Sequence, residues 1–393
     1  MFSRIRGFLS RHRRKFIVGS IVIGGIVFLT RYTQRKLREY QENEIKILME
    51  TTKKRQYFES TERTCNQTIL SLAATLRNSI IKETDTEAII SQLKDGSADK
   101  IASWNQLKVL AVTRSAVIIY SYTMLVTFLR IQLNLISGYM YKSVQSSTET
   151  DIQSEVQAKY LEHSSYFIYE SVKELTDFIK SKVDEVIASW SLLKQLTWRD
   201  LEQMYWAIIS SISADSARNP VKKLTRYMLH DTNESLSLSR VPAESSVYAN
   251  LIIQTIDISE SEEVQDLMQK CIRSGFVLFV DHLATYFDGA LKANVRCTQQ
   301  DAMLSSVSVS SGETGIESLA STSSNKPTAN GLIEFVDTSK TTMALAKIIP
   351  ILNGQIPDNP LVKDLAADWL QRLVLNDDLK TLGANIYEAV SQQ

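Results

Sequence analysis

The stretch VLAVTRSAVIIYSYTMLVTFL, residues 109–129, decides the fold class because it must either cross a membrane or form the centre of a protein core. It is long enough to span a bilayer as a helix. However, it contains Arg114, and a charge near the centre of a membrane helix costs about 2.5–3.5 kcal/mol. Several hydroxyl side chains also dilute the run. We therefore predict a deeply buried helix of a soluble bundle, with a membrane span as the alternative.

The composition around this run favours helices throughout the chain. Of 393 residues, 44% are hydrophobic and 22% are charged, which is typical of a folded globular protein. There are only six prolines, and the first is Pro220. Because a proline inside a helix costs about 3 kcal/mol, the long proline-free part favours helical structure. We predict an all-α fold, in which a single N-terminal membrane anchor is followed by one large, elongated helical bundle.

The net charge is zero, but the charges are unevenly distributed. Residues 1–38 contain ten lysines and arginines and no acidic residue, so the remainder carries a net charge of −10. An acidic body argues against nucleic acid as its partner. The basic N-terminal end instead suggests contact with anionic lipid headgroups. Three widely spaced cysteines do not form a disulfide framework, which favours a reducing compartment.

A second apolar run, FIVGSIVIGGIVFL at residues 16–29, lies close to the N-terminus and carries no charge. As a helix it is about 21 Å long, shorter than the hydrocarbon core of about 30 Å. The flanking Lys15 and Arg31 can extend it by reaching toward the headgroups. A signal peptide or a buried helix is the alternative, but no small-residue cleavage site follows. We predict a transmembrane anchor over residues 16–32. Its apolar side chains are Phe16, Ile17, Val18, Ile21, Val22, Ile23, Ile26, Val27, Phe28 and Leu29.

The rest of the chain divides by charge and by turn signals. We predict a basic flank at residues 1–15, a charged helical linker at 33–50 and a helical bundle at 51–393. Residues 304–330 are rich in serine, threonine and glycine, which predicts a disordered loop. The helix that contains the first apolar run is expected to end near Gly138. Periodicity and turn residues predict helices at 86–94, 99–141, 152–190, 196–216, 248–256 and 260–290.

No motif for catalysis or metal binding is present. The sequence contains no phosphate-binding loop, no dinucleotide fingerprint and no nucleophile elbow. The four histidines are far apart, and neither Cys-x-x-Cys nor His-Glu-x-x-His occurs. We therefore expect no enzymatic activity, no catalytic residue, no metal site and no cofactor. Binding is the function class that remains.

The stretch DKIASWNQLK, residues 99–108, contains the residue that matters most for binding. On a helix beginning near Asp99, the side chains of Ile101, Trp104, Leu107 and Lys108 share one face. Trp104 then lies within the first two turns, close to an end of the bundle. It either fills the core there or anchors a partner, because tryptophan is enriched among binding anchors. Spacing alone favours the core.

Four longer stretches of the sequence carry a family resemblance. They are RQYFESTERTCNQTILSL (55–72), WNQLKVLAVTRSAVIIYSYTMLVTFLRIQLNLISGYMY (104–141), LAKIIPILNGQI (345–356) and NIYEAV (385–390). Together with the basic-then-apolar N-terminus, they resemble the peroxin three family of peroxisomal biogenesis factors. The resemblance is strong over residues 1–141 and at the C-terminal end, and loose from 143 to 330.

This resemblance implies a specific binding function. Members of the family are anchored in the peroxisomal membrane by the N-terminus, with a helical bundle in the cytosol. They dock peroxin nineteen, the soluble carrier of newly made peroxisomal membrane proteins, whose amphipathic N-terminal helix lies in an apolar groove. The family's groove tryptophan falls on Trp104, with Leu93, Lys100 and Leu107 at neighbouring positions. Asn134 matches a polar position of the family motif and either meets the partner or pins the bundle.

From this resemblance we expect a partner site between two helices. An apolar slot would be formed by Ile90, Leu93, Ile101, Trp104 and Leu107. The surrounding cations would favour an acidic partner helix, and they are Lys94, Lys100 and Lys108.

The expected function is that of a docking receptor that promotes membrane-protein insertion. The alternative is a membrane-anchored tether, or an adaptor platform for organelle inheritance and turnover. The expected partners are peroxin nineteen and the lipid bilayer, with organelle-tethering adaptors in the alternative case and no nucleic acid in either.

Overall fold

The computed structural model describes residues 13–96, 99–146, 154–230, 243–306, 341–358 and 364–392. Within these ranges, only the backbone is described for residues 13–29, 145–146, 243–246 and 288–306. The predicted basic flank therefore lies mostly outside the described residues. The same holds for most of the 304–330 loop and for the side chains of the predicted anchor.

The described chain is almost entirely helical, which confirms the all-α prediction. Its two strands, β1 and β2, have two residues each and pair antiparallel, with Gln195 opposite Ala344. The helices are α1 (Arg13–Glu83), α2 (Glu87–Lys94), α3 (Lys100–Ser146), α4 (Ser154–Tyr166), α5 (Val172–Ile187), α6 (Trp198–Ala214), α7 (Leu224–Met228), α8 (Ala243–Ser259), α9 (Glu262–Ser306), α10 (Leu345–Gly354), α11 (Leu365–Leu375) and α12 (Asp377–Gln392). The strands are β1 (Gln195–Leu196) and β2 (Met343–Ala344), and a π-helical turn (Phe167–Ser171) joins α4 to α5.

The chain divides into two compact units, Met1–Thr61 and Glu62–Gln393. In the first unit, described from Arg13 onward, the chain is helical, and apolar side chains such as Leu37 and Tyr40 are exposed. The second unit contains the hydrophobic core and the remaining elements. The domain boundaries proposed from the sequence stay predictions.

Helix α3 forms the centre of the second unit. Residues 109–129 are buried almost without exception, including Tyr120 at 1% exposure and Phe128 at 0%. Within the described residues, α3 is the one helix long and apolar enough to cross a membrane, and its apolar window is completely buried in protein. The prediction of a buried bundle helix is therefore confirmed. Helices α5, α10 and α12 are among those that contact it.

Two buried arginines tie α3 to distant parts of the chain. Arg114 pairs with Asp358 at 2.7 Å and also donates to the carbonyl oxygen of Thr84 at 2.7 Å. Arg130 donates to both carboxylate oxygens of Glu62, at 2.8 and 2.9 Å. Each guanidinium is paired with a carboxylate and hydrogen-bonded to a backbone carbonyl oxygen, so the positive charges of α3 are compensated inside the core.

Helix α3 is longer than predicted, because it continues to Ser146 instead of ending near Gly138. Gly138 has a packing role inside the helix. A Cβ added there would lie 2.7 Å from the Cβ of Val390 on α12, so glycine permits the close approach of the two helices. Gly138, which was expected from the sequence to end the helix, instead lies where α3 and α12 pack closely.

The predicted helix 152–190 is interrupted by the π-helical turn Phe167–Ser171, which adds a residue to the helical turn without ending the helix. Thr197 and Asp200 cap the start of the next helix. They act together: the backbone N–H of Asp200 donates to Thr197 Oγ1 at 3.2 Å, and the backbone N–H of Thr197 donates to Asp200 Oδ2 at 2.7 Å. This capping box fixes the start of α6.

Candidate functional site

The candidate site is formed by α2 and the first turns of α3, on either side of a short connection. Gly96 in this connection has a φ of 71°, a left-handed conformation that glycine adopts without strain. Asp99 caps α3, because its Oδ1 accepts from the backbone N–H of Ile101 at 3.0 Å. The two helices contact each other, so their side chains share one part of the surface.

Four apolar side chains of these helices define what we call the α2–α3 groove: Ile90, Leu93, Ile101 and Trp104. Ile90, Leu93 and Trp104 are half-buried and pack against the core. Ile101 is 67% exposed, although it is isoleucine. Ile101 precedes Trp104 by one helical turn on α3, so an exposed isoleucine and a half-buried tryptophan share one apolar face of this helix.

Exposure decreases steadily along the face of α3 that carries Trp104. Ile101 is 67% exposed, Trp104 is half-buried, and Leu107 is only 3% exposed. Trp104 therefore lies at the boundary between surface and core, so the ring serves the bundle and still presents area to solvent. Leu107, which was predicted to line the slot, instead lies in the core below it.

Two of the three predicted cations, Lys94 and Lys100, are exposed at helix ends. Lys94 ends α2 and Lys100 begins α3. Their ammonium groups can therefore act on an approaching charge through solvent, which affects association rate more than final affinity.

The prediction that Lys108 belongs to the rim of the site is wrong. Lys108 is 1% exposed, and its Nζ donates to the carbonyl oxygen of Trp190 at 2.9 Å. Burial lowers the pKa of Lys108 below its usual value of 10.5, and the charge of Asp184 partly offsets the shift. Lys108 also lines a cleft of about 570 Å³ between α3 and α5, together with Asp177 and Asp184. Its role is to hold the chain around Trp190 against α3.

Of the two alternatives left open for Asn134, contact with the partner or a role in packing, the structure supports packing within the bundle. Asn134 is fully buried, and its Nδ2 donates to the carbonyl oxygen of Arg130 at 2.8 Å. A Cβ added to Gly383 on α12 would lie 2.6 Å from that Nδ2, so the amide fills the contact between α3 and α12. Asn134 is remote from solvent and fixes the packing of two helices.

Two elements close to the groove were not found from the sequence. The start of α2 is joined to α10, because Thr86 Oγ1 donates to Asn353 Oδ1 at 2.9 Å. The connection between α5 and α6 reaches α3 through Trp190 and reaches α10 through the backbone N–H of Leu345, which donates to the carbonyl oxygen of Lys194 at 2.9 Å. These contacts join residues more than 80 positions apart, and no local sequence signal reveals them.

The described ranges contain no group of three or more histidine, cysteine, aspartate or glutamate side chains that could hold a metal ion. The features of the site are therefore an apolar groove, exposed cations and a buried lysine that holds a neighbouring loop.

Comparison with known proteins identifies the family. The family model described as Peroxin-3 matches residues 7–103 and 96–389. The chain belongs to the Peroxin-3 family of peroxisome biogenesis factors. It is 31% identical over 405 residues to "Peroxisomal biogenesis factor 3" of Cricetulus longicaudatus, a match covering 100% of this chain and 98% of the relative. It is 30% identical over 403 residues to the human protein of the same name, with the same coverage.

A plant relative is more distant. "Peroxisome biogenesis protein 3-2" of Arabidopsis thaliana is 25% identical over 307 residues, which cover 72% of this chain and 83% of the relative. The two segments of the Peroxin-3 match overlap at residues 96–103, so the match includes α2, the connection after it and the start of α3. The groove thus lies in a part of the chain that the family shares.

Proposed function

We propose that the chain is a membrane-anchored docking receptor for peroxin nineteen, which binds the amphipathic N-terminal helix of that carrier in the α2–α3 groove. Docking brings newly made membrane proteins to the peroxisomal membrane and promotes their insertion. The protein acts by binding and not by catalysis. The observation that carries the proposal is the exposure of Ile101 beside the half-buried Ile90, Leu93 and Trp104.

The chemistry of the groove suits an amphipathic helix with acidic residues at its edges. The apolar face of such a helix can cover the four apolar side chains, and a tryptophan near the centre of the contact is a typical hot spot. Lys94 and Lys100 stand at the two helix ends that border the connection, so they attract negative charge toward the same place.

The charge of the groove gives a direct test of the receptor function. Replacing both Lys94 and Lys100 by glutamate is expected to slow association with the carrier's N-terminal peptide about tenfold at low salt, because attraction becomes repulsion. The difference is expected to shrink at high salt, where charges are screened. Stopped-flow or surface-plasmon kinetics on the full chain measures both rates.

Lys222→Glu is the matched control, since Lys222 is an exposed lysine between α6 and α7. It should leave the association rate close to that of the unchanged protein. Failure of the unchanged protein to bind the peptide at all would overturn the receptor proposal and favour the alternative of a tether.

We further propose that residues 16–32 anchor the protein in the peroxisomal membrane with the helical body in the cytosol. The segment 16–29 is uncharged and lies between clusters of cations, and its backbone is helical. The hydrophobic core lies in the second unit, from Glu62 onward.

Alkaline extraction of membranes tests the anchor. The full chain is expected to stay with the membrane pellet, whereas a chain lacking residues 1–32 should move to the supernatant and still bind the carrier peptide, because the groove lies in the body. Release of the full chain by alkali would show that the segment does not span the bilayer. Removal of the N-terminus from the mature protein would show a cleaved signal peptide instead.

A further inference from the structure

The connection between α5 and α6, residues 188–197, lies next to the groove, and we call it the Trp190 loop. Lys108 follows Trp104 by one helical turn on the same face of α3, and its Nζ donates to the carbonyl oxygen of Trp190 at 2.9 Å. This hydrogen bond holds the Trp190 loop against α3, one helical turn beyond Trp104.

The backbone of the Trp190 loop is fixed from the other side as well. The backbone N–H of Leu345 donates to the carbonyl oxygen of Lys194 at 2.9 Å, and that of Ala346 donates to the carbonyl oxygen of Leu192 at 3.0 Å. Strands β1 and β2 continue this contact. Leu193 is nevertheless 80% exposed. A leucine held out to solvent on a loop with several backbone hydrogen bonds is preorganised for contact, since little ordering entropy remains to be lost.

The exposed cation of the loop, Lys194, has the same sign as the exposed cations of the groove, and it also acts on the carboxylate of Asp200 at the start of α6. The Lys194 side chain is exposed, and its Nζ lies 3.6 Å from the centre of the Trp190 ring, which orients it by a cation–π interaction. Lys94, Lys100 and Lys194 thus place exposed cations around the apolar side chains of the groove and of Leu193. Asp99, an acid close by, is engaged in capping α3.

Helix α2 is short, so it can contact only part of the length of a docked helix. Its eight residues extend for about 12 Å. An amphipathic helix of three or four turns is about 16–22 Å long, so it extends past α2. The Trp190 loop lies where such a helix would continue along α3.

We propose that the Trp190 loop is a third wall of the partner site, where Leu193 contacts the apolar face of the docked helix and Lys194 pairs with an acidic side chain at its edge. This inference rests on the proposed receptor function. Its occupant is the same acidic amphipathic helix, because the exposed Lys194 has the same charge as Lys94 and Lys100, and Leu193 adds an exposed apolar side chain.

Two substitutions in the full chain test the third wall with the carrier's N-terminal peptide as probe. Leu193→Ser is expected to weaken affinity about fivefold to tenfold, because apolar contact area is lost. Lys194→Glu is expected to weaken it about threefold to tenfold, with an effect that decreases as salt is added. Calorimetric titration measures both, and thermal melting is expected to be unchanged because both side chains are exposed.

Controls separate this inference from the function on which it rests. Leu375→Ser changes another exposed leucine, 58% exposed at the end of α11, and should leave affinity unchanged. If Trp104→Ala weakens binding while both loop variants bind as tightly as the unchanged protein, the third wall is wrong and the receptor function stands. If the unchanged protein does not bind the peptide at all, the receptor function itself fails, and the third wall fails with it. Loss of self-association in Leu193→Ser, seen by sedimentation and without any change in peptide affinity, would assign Leu193 to a contact between copies of this chain and overturn the inference.

Discussion

Replacing Arg130 by alanine is expected to lower the free energy of unfolding of the helical body by about 3–5 kcal/mol. Arg130 is completely buried, and Glu62, its acidic partner, is 17% exposed at its side chain. The guanidinium also donates to Asn66 Oδ1 and to the carbonyl oxygen of Val374, each at 3.1 Å. Its removal leaves a poorly solvated carboxylate and a carbonyl oxygen without a donor, as well as a cavity. Urea denaturation followed by circular dichroism measures the change.

Two further variants show whether burial is the cause. Arg226→Ala removes an ion pair of similar geometry, 2.6 Å to Glu174, whose side chains are 47% and 45% exposed. It should cost about 1 kcal/mol or less, because solvent screens an exposed pair. Arg130→Met restores part of the lost volume but none of the hydrogen bonds, so its cost should fall below that of alanine. Equal losses for Arg130→Ala and Arg226→Ala would show that burial does not control the effect.

The sequence predicts the central helix well because its signal is local. Residues 109–129 are apolar on every face, which identifies a helix surrounded by protein or lipid, and Arg114 argues for protein. The start of α6 is predicted for the same reason, since Thr197 and Asp200 are three residues apart and form a capping box. Structural features that depend on residues close together in the chain can therefore be predicted from the sequence.

Contacts between distant residues explain what the sequence does not predict. Lys108 looks like a solvated lysine, but the carbonyl oxygen that binds it belongs to Trp190, 82 positions later. Asn134 is polar, so its type alone does not predict burial. It is buried because Gly383 on α12 has no side chain and leaves room for its amide. Both are buried because segments far along the chain pack there, and neither spacing nor composition contains this information.

The same limit applies to the extent of the candidate site. The resemblance points to α2 and α3, which are adjacent in the sequence and contact each other in the structure, with Ile90 and Leu93 on the first helix and Ile101 and Trp104 on the second. The Trp190 loop and α10 join the site only through long-range hydrogen bonds. Leu193 would look like an ordinary exposed leucine in a connection, and its importance depends on the lysine that holds the loop beside Trp104.

Replacing Trp104 by alanine is expected to weaken binding of the carrier's N-terminal peptide by about 2 kcal/mol or more, which is about 30-fold. The side chain is half-buried and joins the core to the exposed part of the groove, so its ring can supply a large apolar area to the partner. Because Leu107 and the rest of α3 remain packed below it, the helical signal and the melting temperature should change little. Isothermal titration calorimetry and circular dichroism measure the two effects separately.

Calorimetric titration of the full chain with that peptide, compared between the unchanged protein and Trp104→Ala, is therefore the most direct test of the α2–α3 groove. Trp206→Ala serves as the control, since Trp206 is 37% exposed on α6 and lies outside the groove. The account predicts that the peptide binds the unchanged protein and Trp206→Ala equally, and that it binds Trp104→Ala about 30-fold more weakly at an unchanged melting temperature. Equal affinity for all three proteins, or a loss of binding by Trp104→Ala together with a collapse of its melting transition, would contradict it.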